Sequence, residues 1–152
     1  NPANICSGNR VAGCSHFGIW YRMHKHPEAG SYTTEVCQQH EPLGECKDNI
    51  VHSIGDVGLW IFEKFTPYEN TNGESCATEV IAPARFENFQ AYRTNKAVEF
   101  FTVGAIQLHN SIVAENTKAG VEWKRLVGVS WDSESSGAMM KNVSIIARCS
   151  EN

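Results

Sequence analysis

Two glutamates occupy near-identical settings, Glu99 in "AVEF" and Glu122 in "GVEW". If those settings are stacked copies of one unit, the carboxylates lie about 5 Å apart, a spacing that suits a retaining glycosidase pair. Two like charges so close would raise one pKa, as acid–base work needs. Lys96, Lys118 and Lys124 stand nearby and are able to neutralise them instead. Trp20 in "GIWY" and Trp60 in "GLWI" are a second matched pair. Exposed, they would make an aromatic strip for a sugar or a protein partner; the alternative is a loop folded over them. His24 and His26 form an H-x-H whose rings share a side in an extended segment, as some metal sites require. No third ligand is placed by the sequence, so a solvated loop is the competing reading. "NIVHSIGDVGLWIFEKF" groups His52, Asp56 and Glu63 with Trp60 and Phe62, the residue types of a sugar-processing site. His52 and His109 also fit as hydrogen-bonded fillers of a regular structure. G-x-S-x-G, P-loop and dinucleotide signatures are absent from the sequence.

The elements that must hold these residues are short. Helical periodicity is poor, and alternating segments rich in Val, Ile, Phe, Trp and Tyr are separated by Gly and Asn. The chain has 152 residues, enough for one domain with a modest core. Its net charge is −4 with scattered basic residues, which argues against nucleic acid or an anionic membrane as a partner. No apolar run is long enough to span a bilayer, and no signal-peptide pattern is present. The start "NPANIC" lacks an initiator Met and reads as a segment of a longer chain.

A repeat organises the alternating segments. "NIVHSIGDVGLWI" runs from an Asn to a Gly and then to an aliphatic residue and an aromatic. The same frame fits the segments beginning at Asn9, Asn88 and Asn110, and a fifth copy begins at Asn142. The shortest interval, from Asn88 to Asn110, is about one coil of a parallel β-helix, in which each strand pairs with its equivalent one coil away. Longer intervals then carry surface excursions: Arg22 to Asp48, Glu63 to Arg85 and, shorter, Ser130 to Gly137. All have the Pro, Gly, Asn and Ser content of loops.

Stacking predicts columns. Ile19, Leu59, Val98 and Val121 make one, and Tyr21, Ile61, Phe100 and Trp123 another; both face the core. The column between them, Trp20, Trp60, Glu99 and Glu122, faces out. The excursions are long enough to cover its tryptophans, and cover is the expectation. The Asn residues at 9, 49, 88, 110 and 142 are expected to form one stacked amide ladder at a turn, with Gly58 setting a bend. Cys6 and Cys46, each three residues before a repeat Asn, should be column neighbours within disulfide range. Cys37 and Cys76, in successive excursions, are also able to pair. Cys14 and Cys149 are left unassigned. "NVS" makes Asn142 a glycosylation acceptor in an oxidising, secreted setting.

The strings "AGCSHFGIWYRMHKHPEAGSY", "PLG", "NIVHSIGDVGLWIFEKFTP" and "GAIQLHNSIVAENTKAGVEWKR", in that order, resemble the parallel β-helix region of the fibrocystin family and its hyaluronan-binding and hyaluronidase relatives. The resemblance covers about Asn1 to Arg125. It implies large extracellular or membrane-anchored proteins, linked on the fibrocystin side to cilia and cell-surface architecture without established catalysis. On the hyaluronidase side it implies binding or cleavage of hyaluronan. Cys14 stands where a Gly is expected in the family string, and Cys46 where relatives carry an aromatic residue; the comparison implies an added disulfide layer. No family catalytic residue maps onto a position here.

The expectation is therefore all-β: residues 1–152 as a right-handed parallel β-helix segment of about four to five coils with long inserted loops. The expected role is a structural rod, coat or filament component at the cell surface, presenting loops to protein or glycan partners and resting on flanking coils of the same protein. The alternative is a hyaluronan-type binding or cleaving module using Trp20, Trp60, Glu99 and Glu122. No cofactor is expected, and the segment is not itself membrane-spanning.

Overall fold

A computed structural model describes residues 4–69, 76 and 80–148. The strands, in chain order, are β1 (Cys6–Ser7), β2 (Arg10–Ala12), β3 (Phe17–Tyr21), β4 (Cys46–Lys47), β5 (Ile50–Phe65), β6 (Ala84–Glu87), β7 (Gln90–Val103), β8 (Ile106–His109), β9 (Ile112–Asn116), β10 (Ala119–Leu126), β11 (Met139–Lys141) and β12 (Ser144–Ala147). Every pairing between them is parallel. One sheet stacks β1, β4, β6, β8 and β11; the other stacks β2, β5, β7, β9 and β12, with β3 on β5 and β10 on β7. The long strands β5 and β7 cross two faces of the coil, so each turn of the chain has three sides. This is the parallel β-helix that the spacing of the repeats predicts.

Two rows of left-handed residues turn the chain. Gly8, Asp48, Asn88, Asn110 and Asn142 all have positive φ, between 49° and 70°. Gly13, Ser53, Arg93 and Glu115 form the second row, between 52° and 75°. The two rows keep the same five-residue step in the four coils that carry both bends. Gly, Asn and Asp carry the smallest penalty in this conformation, which explains the composition of the first row.

The single ladder of five Asn residues is not what forms. Asn9 and Asn49 share a column, and Asn9 Nδ2 donates to Asn49 Oδ1 at 2.9 Å. Ile50 pairs with Gln90, however, which puts Phe89 rather than Asn88 beside Asn49. Asn88 instead belongs to the bend row and donates to Asp48 Oδ1 at 2.6 Å; Asn142 donates to Asn110 Oδ1 at 3.0 Å. The one-residue slip has a local cause. The β5–β7 register shifts between Ile54 and Val57, so a frame anchored on the third side misaligns the second. Gly58 does not make the bend either; Ser53 does. Gly58 sits where a Cβ would lie 2.6 Å from the Ala97 carbonyl oxygen, in a corner too narrow for a side chain.

The core is the inside of the coil. Ile19, Leu59, Val98 and Val121 are in register, as are Tyr21, Ile61, Phe100 and Trp123. Leu59, Ile61, Val98 and Phe100 are fully buried, with Phe65, Phe86, Ile106 and Leu108 closing the other sides. Each such side chain contributes roughly 1.5–3 kcal/mol by leaving water.

The first two excursions pack beside the end of β5. The first contains short 3₁₀ turns at Ala29–Ser31 and Gln38–His40. Thr66 N–H donates to the Gln39 carbonyl and Tyr68 N–H to the His40 carbonyl, both at 2.8 Å. Cys37 and Cys76 are joined by a disulfide that ties the two excursions together. Cys6 and Cys46 are register partners as expected, yet both are free thiols rather than a disulfide. In-register strands hold neighbouring Cβ atoms at about the 4.8 Å strand spacing, wider than the ~3.8 Å of a relaxed disulfide. Asn9 Nδ2 lies 3.7 Å from Cys6 Sγ and Asn49 Nδ2 lies 3.6 Å from Cys46 Sγ, so each sulfur has its own donor. Cys14 is an exposed free thiol, and Cys149 lies outside the described residues. Among the described residues no helix is long and apolar enough to cross a membrane.

Candidate functional site

The third side of the coil, formed by β3, the second half of β5 and β7, and β10, presents the expected outward column. Trp20 pairs with Trp60, Trp60 with Glu99, and Glu99 with Glu122. The two halves of this column behave differently.

In the aromatic half, Trp60 is sandwiched. Its ring stacks on Phe17 at 4.3 Å, on Trp20 at 5.3 Å and on Phe62 at 4.7 Å, with interplanar angles of 25°, 27° and 16°. Phe62 meets the edge of Phe101 at 5.0 Å. The faces of these rings therefore meet each other, both along β5 and from coil to coil. The Arg22 guanidinium lies over Trp20 at 5.2 Å. Trp20 is nevertheless 44% exposed, and among the described residues the first two excursions pack at the end of β5 rather than over it. Sugar recognition by stacking needs an open ring face, and the faces of Trp60 are taken by Phe17, Trp20 and Phe62.

In the charged half, Lys96 Nζ contacts Glu99 Oε1 and lies 2.7 Å from Glu122 Oε2. Lys124 Nζ lies 3.2 Å from Glu99 Oε1 and 3.9 Å from Glu122 Oε1. Two cations thus bracket two anions. Burial pushes the Glu99 carboxyl up, but hydrogen bonds from Lys96 and Lys124 override it and hold the group below its ordinary range. Hydrogen bonds that Lys96 donates to Glu122 and Glu99 push Lys96 the other way, up. A glycosidase pair needs one carboxyl kept protonated; here the shift of Glu99 runs in the opposite direction.

The remaining candidates are dispersed. His24 Nδ1 pairs with Glu28 Oε1 at 3.2 Å, while His26 Nδ1 faces the Val36 carbonyl at 3.1 Å. The two histidines therefore take separate partners. His26 lies instead beside Cys37 and Cys76, with ligand atoms within 4.8 Å of one another, but both sulfurs are engaged in the disulfide. His52 stacks on Tyr92 at 4.8 Å and bonds to Ser53 Oγ, away from any acid–base set. Asn142 is exposed at a bend, its amide donating to Asn110.

Sequence reasoning missed Gln107 and treated His109 as a filler. Both alternate with Ile106 and Leu108 on β8 and should face out, yet both are buried. The third excursion covers them. Gln107 Nε2 donates to the carbonyls of Ser133 at 3.2 Å, Glu134 at 3.0 Å and Gly137 at 3.0 Å, and Gln107 Oε1 accepts from Arg85 Nε at 3.2 Å. Burial pushes the His109 imidazole below its ordinary range, helped by the Arg85 charge, and its buried Nε2 has no hydrogen-bond partner. The alternation of β8 gave no signal of this, because polar residues at every second position read as an outer face.

Comparison with known proteins agrees with this architecture. A family model described as "CEMIP beta-helix" matches residues 1–59. Human fibrocystin-L is 41% identical over 99% of this chain, and mouse fibrocystin-L 40% identical over the same share. The chain spans only 4% of the length of either relative. No solved structure matches. Parallel coils in register, the β-helix family match and identity sustained along nearly the whole chain make this a fibrocystin-L-like parallel β-helix region.

Proposed function

We propose that the chain is a structural module of an extracellular or cell-surface protein, a stiff stretch of β-helix that presents loops to protein or glycan partners. One observation carries this reading: the outward column that would serve a sugar is engaged within the chain itself. Its carboxylates are neutralised by Lys96 and Lys124, and the ring faces stack on each other and on Arg22. The disulfide between excursions and the Asn142 acceptor sequence fit an oxidising, glycan-bearing environment. Placement on a cilium or similar projection is part of the same proposal and follows from the fibrocystin likeness. Flanking coils of the same protein are the proposed neighbours, on the likeness to fibrocystin-L, of which the chain spans 4%.

The alternative is a hyaluronan-type binding or cleaving module. The match to the CEMIP β-helix over residues 1–59, which include the exposed Trp20, favours it. Incubating the full ectodomain with hyaluronan and sizing the polymer separates the two. The structural reading expects an unchanged size distribution. Shortening that disappears in Glu99→Gln or Glu122→Gln would establish the alternative.

A further inference from the structure

We propose that Cys6 and Cys46 form a thiol-oxidation site, a dithiol that closes across the first two coils by exchange with a small-molecule disulfide of the glutathione type and reopens readily. The register places the two residues opposite each other on adjacent parallel strands. Each thiol receives a carboxamide donor from the Asn three residues on. These donors act on whichever sulfur carries negative charge during exchange. Cys37 and Cys76 lie in excursions free of ladder register and are bonded; Cys6 and Cys46 are held in register and are not.

The two thiols are unequal. Cys46 is 7% exposed and sits in the core cluster, while Cys6 is half-buried at its margin. Burial, reinforced by the neighbouring Cys6, pushes the Cys46 thiol up to about 12. Exchange therefore enters through Cys6. Cys6 releases its proton to water, and its thiolate attacks one sulfur of the external disulfide, forming a mixed disulfide and expelling one thiolate. Cys46 gives its proton to that thiolate and attacks Cys6 Sγ, expelling the second, which takes up from water the proton that Cys6 released. Two protein S–H bonds are lost and one S–S bond is gained; the external disulfide is reduced to two thiols that carry the two protons.

Closure must draw the two Cβ atoms about 1 Å closer than strand spacing sets them. That strain makes the bond easier to reduce than a relaxed one. The site thereby differs from the loop disulfide in kind: a reversible staple within the coil stack rather than a permanent tie between excursions.

The test uses the full-length protein carrying this chain, with Cys14→Ser to remove the exposed thiol. It is equilibrated at a series of reduced to oxidised glutathione ratios, acid-quenched, alkylated and mapped as non-reduced peptides. A Cys6–Cys46 linked peptide, lighter by a pair of hydrogens, is expected. It should open at glutathione ratios at least about tenfold less reducing than those that open Cys37–Cys76. Cys46→Ala in the same background should leave Cys6 as a glutathione adduct. The proposal fails if both thiols are alkylated at every ratio, or if Cys6 links to Cys149. It also fails if the adduct on Cys6 persists while Cys46 is intact.

Discussion

Two outward faces of the same coil stack solve the burial of polar side chains in opposite ways. On the first side, Gln107 and His109 are covered by an excursion whose backbone carbonyls accept from the Gln107 amide. On the third side, Glu99 is almost as buried, yet what covers it is the pair of lysines that neutralise it. One face is closed by chain brought from elsewhere, the other by its own neighbours in the ladder. Strand alternation reads the same on both. It assigns a residue to the outer surface; it does not say whether that surface meets water.

The sharpest way to break the comparison is at the charged face. Lys96→Met removes one of the two cations shared by the carboxylates and leaves the buried Glu99 with Lys124 alone. Breaking such a buried pair costs about 3 kcal/mol. Urea unfolding should show this loss, and adding Glu99→Gln should recover part of it. On the covered face, Gln107→Leu strips three carbonyls of their donor and should cost about 2 kcal/mol. Limited proteolysis should then cut between Ser130 and Gly137 faster than in the parent.

Acidification separates the faces without mutation. His109 is held neutral, its pKa lowered from 6.5 by burial, so the folded state binds its proton less readily than the unfolded chain. Stability is full above pH 6.5 and is lost as pH falls through the lowered value. Glu99 is lowered from 4.5 by its lysine bonds, so its contribution is present above 4.5 and is lost on further acidification. A stability profile should therefore descend in two separate windows. Gln107→Leu should weaken the upper window by letting water reach His109, and Lys96→Met the lower. A single descent common to both variants would contradict the separation. The smallest effect belongs to the aromatic half: Trp20→Ala loses one stacking contact and one cation–π contact, about 1 kcal/mol together.

Much of this arrangement was legible in the residues. The two apolar columns followed from the repeat frame, and alternation set the face they share, because a one-residue error would have turned Leu59 and Ile61 to solvent. The Asn ladder was misread for a physical reason. The residue at the bend and the residue just after it are both often Asn, and a register shift in β5 moves one onto the other. Cys6 and Cys46 were correctly placed side by side, but adjacency in a ladder does not itself bring sulfurs to bonding distance. Gln107 was illegible because its partners lie 26 to 30 residues further along, in a loop whose path no periodicity records.

The fixed five-residue step between the bend rows constrains how such a chain can change over generations. Length cannot vary between the bends without throwing every rung out of step. Additions are confined to the remaining corner, where β3, β5 and β10 end and the excursions leave. Related chains should differ there by tens of residues while their rungs stay constant in number and pitch. Variation would then accumulate as a crest along one edge of the prism, and recognition would diversify on that crest while the rod beneath it is inherited unaltered.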